Sequence, residues 1–193
     1  FDLLDVVPAS IDLSGAELEV ADMENRNVLL KTAVDEFLET SEEHYDYVII
    51  DCPPSLGLLV INAMCAVHEM LIPIQAEYYA LEGLGQLINT IGLVQEHFNP
   101  SLLVSTMLIT MFDKRTLLSR EVHDEVKNHY PTIVQNTTIP RTVKISEAPS
   151  FNQSVIAYDP KGMGAIAYCE AALEIARRSQ TVLKAIDARR NEN

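Results

Sequence analysis

At 193 residues, 48% of them hydrophobic, the chain is long enough to bury a sizeable core, and no break in composition divides it, so one domain over 1–193 is expected. A net charge of −14 argues against a protein coated in nucleic acid, although the charge is unevenly spread and the average hides that. No apolar run is long enough to span a bilayer, and Phe1-Asp2-Leu3-Leu4 carries neither an initiator Met nor a basic leader, so the chain reads as a soluble fragment, and three cysteines without a disulfide framework fit a reducing cytoplasm.

In chain order, Phe1 to Val7 is predicted as a strand, and Ser14 or Gly15 opens a helical stretch with Val20, Met23, Leu30, Val34 and Phe37 as its apolar residues. Tyr47 to Asp51 reads as a buried strand, Leu58 to Val67 as a helix and Met70 to Gln75 as a strand. Leu81, Leu84, Ile88, Ile91, Val94 and Phe98 mark one face of a long helix ending near Asn99-Pro100. Leu102 to Met111 is a nearly continuous apolar strand, Leu117 to Tyr130 a polar helix closed by Pro131, and Thr137 to Pro140 a short strand. After the turn Asp159-Pro160-Lys161-Gly162, a final helix runs from Gly164 to about Ala188, with the last few residues disordered. Apolar strands alternating with helices predict an α/β fold whose mostly parallel sheet has helices on both faces.

Asp51 is the residue that points most directly to chemistry. An open α/β sheet binds ligands at the carboxyl ends of its strands, and a carboxylate there suits a hydrated Mg²⁺ beside nucleotide phosphates. Pro53 and Pro54 stiffen the turn that follows. An Asp that merely serves the next turn is an equally common use of this position. Cys52, Cys65 and Cys169 lack metal-ligand spacing, and an inert buried thiol is expected of Cys52 beside the Asp51 carboxylate. Glu125 and His129 share a helix face without a third ligand, and Ser55 has no recognisable triad partners. Charge is uneven: residues 1–99 hold Arg26 and Lys31 as their only Lys or Arg, whereas 100–193 hold twelve such bases against ten acids, so an anion-binding surface belongs to the second half.

Five segments occur together: Pro8-Ala9-Ser10 with Gly15-Ala16-Glu17, Asp51-Cys52-Pro53-Pro54, Glu77-Tyr78-Tyr79-Ala80-Leu81-Glu82-Gly83, Ile139-Pro140-Arg141, and Ser146-Glu147-Ala148-Pro149-Ser150. In order and spacing they closely resemble the ParA/Soj family of chromosome- and plasmid-partitioning ATPases, within the deviant Walker A group that contains MinD. The resemblance runs from about Pro8 to Arg178 and implies a P-loop NTPase-like fold of which the chain is the C-terminal two-thirds. It further implies a cytoplasmic, nucleoid-associated protein that binds ATP with Mg²⁺, forms a homodimer around two nucleotides, binds DNA without sequence preference and is stimulated to hydrolyse ATP by a centromere-binding ParB-type partner.

By that resemblance Asp51 is the carboxylate that reaches Mg²⁺ through water, and Pro53, Pro54 and Ser55 match the switch beside the γ-phosphate. Glu77, Tyr78 and Tyr79 fall near the nucleotide-facing dimer surface, Met111, Pro140 and Arg141 where such proteins hold the adenine. Lys144 matches a basic position used for DNA, Arg115 matches another, and Arg120 and Arg141 extend the patch.

Each assignment has a plainer alternative: packing over the sheet edge for the tyrosines, a loop without ligand for the adenine residues, a solvated charge for the cations. A P-loop needs glycines followed by Lys and Ser or Thr, and no glycine here precedes a lysine. The first strand, that lysine and the first switch would lie ahead of the segment matching Phe1, and the chain as written is expected not to bind ATP in the family's way. A nucleotide-free regulatory module is the alternative. A MinD-like membrane-cycling ATPase is disfavoured, because Thr181 to Asn193 sets only Val182, Leu183 and Ile186 beside Lys184, Arg189 and Arg190.

Overall fold

The computed structural model describes residues 3–191, with the side chains of Ser14 and of 179–191 excepted. Its elements in order are α1 (Leu13–Glu19), α2 (Leu29–Thr40), α3 (Leu58–Ala66), β1 (Glu69–Gln75), α4 (Tyr79–His97), β2 (Leu103–Thr110), α5 (Leu117–His129), α6 (Val143–Glu147), a 3₁₀ turn (Ala148–Phe151), α7 (Val155–Tyr158) and α8 (Met163–Asn191). Two compact units emerge, Phe1–Val67 with Thr90–Pro100, and His68–Asn89 with Ser101–Asn193. Of the last few residues, expected to be disordered beyond about Ala188, those up to Asn191 continue α8, whereas 192–193 lie outside the described residues, as do the side chains on which the membrane-helix reading of Thr181 to Asn193 turns.

In the first unit, the single helical stretch expected from Ser14 onward is two helices. Turn hydrogen bonds from Met23 N–H to the Val20 carbonyl and from Val28 N–H to that of Asn25 divide it. Asn62 on α3 fixes the second start: its amide donates to the Arg26 carbonyl at 2.7 Å and accepts from Leu30 N–H at 3.2 Å. An amide able to donate and accept at once thereby satisfies an open helix end. Likewise Glu17 of α1 accepts from Leu59 N–H at 3.1 Å, placing a carboxylate at the N-terminus of α3.

Two predicted strands of this unit are not formed among the described residues. Residues 4–10 and 47–51 take neither helix nor strand among the described residues, and Val7 and Ile49 are 96% and 89% exposed. A strand is a ladder, and an apolar segment without a hydrogen-bonding neighbour stays irregular whatever its composition. α2 buries none of its residues, and Phe37 of its apolar face is exposed against the Tyr45 ring at 5.6 Å.

The second unit is built on parallel pairing. β1 and β2 run in register from Glu69 with Leu103 to Gln75 with Thr110, broken by one irregularity at Met70/Leu71. The strand expected at Thr137 to Pro140 is not formed as a continuous ladder among the described residues; residues 134–140 instead follow β2 on its other side through two isolated parallel bridges, Met107 with Val134 and Phe112 with Pro140. Its ladder is interrupted: Gln135 N–H donates to Met107 O and Ile139 N–H to Ile109 O, while Asn136 and Thr137 turn outward to α8.

Met107 and Ile109 are wholly buried, each contributing about 1.5–3 kcal/mol by removal from water. Leu108 and Ile139 pack against Ala167 and Ala171, whose small side chains bring α8 close to the sheet. At Gly164 a Cβ would stand 2.8 Å from Ile145 Cγ1, so only glycine lets α8 start this near to α6.

Candidate functional site

The parallel segments of the second unit end together, at Gln75, Thr110 and Pro140, and the chain turns there in three loops that carry most of the predicted site residues. After β1, Ala76 N–H donates to Thr110 O at 2.9 Å, and Glu77 to Tyr79 lead into α4. Tyr78 and Tyr79 are 69% and 81% exposed with rings edge to face at 5.8 Å, so they do not pack over the sheet. After β2, Met111 adopts φ 54°, a left-handed conformation that costs a non-glycine residue about 1–2 kcal/mol. The turn is held on both sides, because Phe112 N–H donates to Ile139 O and Arg141 N–H to Phe112 O.

These loops bring acids and bases into one connected set. Arg141 Nη1 lies 3.7 Å from Glu77 Oε1, tying the loops after β1 and after the third segment. Arg115 grips Asp113 with both arms of its guanidinium, Nε to Oδ1 at 2.9 Å and Nη2 to Oδ2 at 2.7 Å, and its backbone N–H donates to Oδ1 at 3.0 Å. The Arg115 side-chain bonds first, then its backbone bond, with Arg141 as a further positive charge, lower the Asp113 carboxyl to about 2. Ser119, buried at the start of α5, locks the base of this loop by donating to the Ala76 carbonyl.

Lys144 sits on α6, where Thr142 caps the helix by accepting from Ile145 N–H. Its Nζ is 3.0 Å from Glu147 Oε2 and 5.2 Å from the centre of the Tyr158 ring, and the Tyr158 hydroxyl donates to the same Glu147 oxygen at 3.3 Å. Hydrogen bonding to Glu147, then its charge, raise the Lys144 ammonium above its ordinary value. Phe151 stacks on Tyr158 at 5.0 Å. Arg120 is exposed on α5.

Asp51, Pro53 and Pro54 belong to the first unit. All three are exposed on an irregular segment, so the buried strand expected to deliver Asp51 is not formed. Cys52, expected to be buried, is exposed; partial desolvation of the thiol first, and the neighbouring Asp51 charge second, raise its pKa. Among the described residues no three His, Cys, Asp or Glu side chains gather to hold a metal ion. Met111 and Pro140 are half-buried and Arg141 is exposed, on turns whose backbone is pinned by the Phe112 and Arg141 N–H bonds. Among the described residues no glycine is followed by a lysine, the pairing with which a P-loop cradles a triphosphate.

A family model described as an AAA domain matches residues 1–104. The sporulation initiation inhibitor protein Soj of Bacillus subtilis is 51% identical over 173 residues, covering 90% of this chain and 67% of the relative. The chain belongs to the ParA/Soj family of chromosome-partitioning ATPases. The chromosome partitioning protein ParA of Myxococcus xanthus is 46% identical across 91% of this chain and 60% of its own length, so the chain spans about two thirds of these relatives. A solved structure described as cobyrinic acid a,c-diamide synthase from Mycobacterium smegmatis, with bound ADP and magnesium, superposes with a TM-score of 0.73 at 38% identity, covering 90% of this chain and 62% of that one. The α/β fold with parallel pairing is thus that of the P-loop NTPase-like ParA/Soj group.

Two residues that the sequence reading assigned no role, Asp113 and Glu147, are the partners of the predicted DNA contacts Arg115 and Lys144. Their spacing, i−2 and i+3 from the respective cations, was the available signal.

Proposed function

We propose that this is an ATP-dependent DNA-partitioning protein that dimerises on ATP with Mg²⁺, binds DNA without sequence preference in that state, and is released when a ParB-type centromere-binding partner stimulates hydrolysis. The observation that carries the reading is the set of exposed cations, Arg115, Arg120 and Lys144, in the same unit as the strand-end loops of a chain 51% identical to Soj. Sequence-independent binding needs cations aimed at phosphates and nothing that reads base edges. In this reading Met111, Pro140 and Arg141 would hold the adenine, Glu77, Tyr78 and Tyr79 face the second subunit, and Asp51 meets the magnesium through water, with Pro53 and Pro54 shaping its turn. ATP supplies the phosphoanhydride whose hydrolysis resets the cycle.

The test is fluorescence anisotropy of the full-length gene product on duplexes of unrelated sequence, with and without ATP and Mg²⁺. Binding that requires nucleotide and is equal across sequences is expected, with Arg115→Ala, Arg120→Ala and Lys144→Ala each reducing the salt slope by about one. Strong discrimination between duplexes, or salt slopes untouched by all three substitutions, would refute the reading.

A further inference from the structure

Both ordered cation contacts of the proposed DNA surface are already occupied by carboxylates of the same chain. Arg115 holds Asp113 by two parallel bonds, the fork geometry that guanidinium groups also use on phosphate. Lys144 holds Glu147 at 3.0 Å with the Tyr158 ring beneath it. We propose that Glu147 is an intramolecular stand-in for phosphate that masks Lys144 from nucleic acid, and that Asp113 masks Arg115 in the same way.

Each carboxylate is held by a further group, which separates these pairs from passing surface contacts. Glu147 Oε2 also accepts from the Tyr158 hydroxyl, and Tyr158 is fixed by stacking on Phe151. Asp113 Oδ1 also accepts from the Arg115 backbone N–H, and its side chain is 22% exposed against 84% for that of Arg115. The acids are therefore ordered in advance, and the cations reach outward past them. DNA binding at these positions is an exchange of carboxylate for phosphate. Because the pairs face solvent, the exchange is shallow, and a strand of closely spaced phosphates wins it where a single free anion does not. The inference rests on the reading of Arg115 and Lys144 as DNA contacts.

The experiment is a pair of double-mutant cycles in the full-length protein with ATP and Mg²⁺, read as anisotropy on a random-sequence duplex, with thermal melts of every variant. Glu147→Gln and Asp113→Asn are each expected to tighten binding about two- to five-fold, the scale of an exposed ion pair. The gain of Glu147→Gln should vanish in a Lys144→Ala background, and that of Asp113→Asn in an Arg115→Ala background. A gain that persists without the cation reports only a lower net negative charge and overturns the masking. So does unchanged or weaker binding by a variant that melts like its parent. If one acid variant melts lower, the other cycle decides. If Lys144→Ala and Arg115→Ala leave DNA binding at the parent level, the DNA reading of these cations fails and the masking falls with it. If they weaken binding while the acid variants give no gain, the masking alone fails.

Discussion

Glu174 on α8 is the strut of the bridged segment 134–140, and Glu174→Ala is the substitution that tests how that segment is held. Its carboxylate accepts from Asn136 N–H at 3.0 Å and Thr137 N–H at 3.2 Å, the two donors that leave the ladder, and pairs with Arg178 at 2.8 Å. Arg178 in turn donates to the Ile133 and Val134 carbonyls at 2.7 and 3.0 Å. Hydrogen bonds to a charged group are worth about 1.5–3 kcal/mol each, but Asn136 is exposed and regains water, and Arg178 keeps its two carbonyls. A net loss of about 2–3 kcal/mol is expected. For a chain of this length that lowers Tm by roughly 5–10 °C, and Glu174→Gln, which retains a neutral acceptor, should cost about half as much.

Urea unfolding followed by circular dichroism measures both. The pH dependence gives a second reading. Burial opposes ionisation of Glu174, but the two backbone N–H bonds and Arg178 outweigh it and hold its pKa below the ordinary 4.5. A lowered carboxyl stabilises fully above its unfolded value and loses that contribution as pH falls through the folded one, so the parent should lose more stability than the variant below about pH 4.5. A Glu174→Ala protein within about 0.5 kcal/mol of the parent at neutral pH would refute the strut.

The Asp113 carboxyl should titrate near 2 by carbon-detected NMR and return toward 3.8 in Arg115→Ala, since the arginine is the main cause of the shift; an unchanged midpoint would break the fork geometry. Its pairing is thus complete above pH 3.8 and lost as pH falls through about 2. Gly164→Ala should destabilise by about 1–2 kcal/mol, because its Cβ must displace Ile145, whereas Gly92→Ala, exposed in α4 with open space around it, should stabilise by about 0.5–1 kcal/mol; chemical denaturation of the two side by side checks the contrast.

What the sequence made legible follows from how local each signal is. The long periodic face from Leu81 to Phe98 and the apolar run from Leu102 became α4 and β2 with boundaries within two residues, because helix period and a doubly buried strand are written in consecutive side chains. The polar helix closed by Pro131 became α5 for the same reason. Phe1 to Val7 and Tyr47 to Asp51 read equally well as strands, yet 4–7 and 47–51 form none among the described residues, because a ladder depends on a partner that no single segment encodes. The break between α1 and α2 was hidden in Asn62, more than thirty residues away from the carbonyl it binds.

At the candidate site, types were readable and pairings were not. Glu77, Met111, Pro140 and Arg141 were singled out separately, and the structure brings their loops to one end of the parallel pair. The excess of bases over acids after residue 100 pointed to an anion surface, but a count of charges says nothing about which are already engaged. Arg115, Arg141 and Lys144 each meet a carboxylate of the same unit. On the proposed reading this has a mechanical consequence. A single subunit offers DNA Arg120 directly but Arg115 and Lys144 only after they let go of their acids, so its affinity is weakened. A second subunit doubles the phosphates that can be gripped at once, and the effective concentration of the second contact set offsets the cost of exchange in a way that no further lysine on one subunit would. The acidic partners therefore make DNA binding depend more steeply on dimerisation, and Glu147→Gln should loosen that dependence by letting the nucleotide-free protein bind measurably.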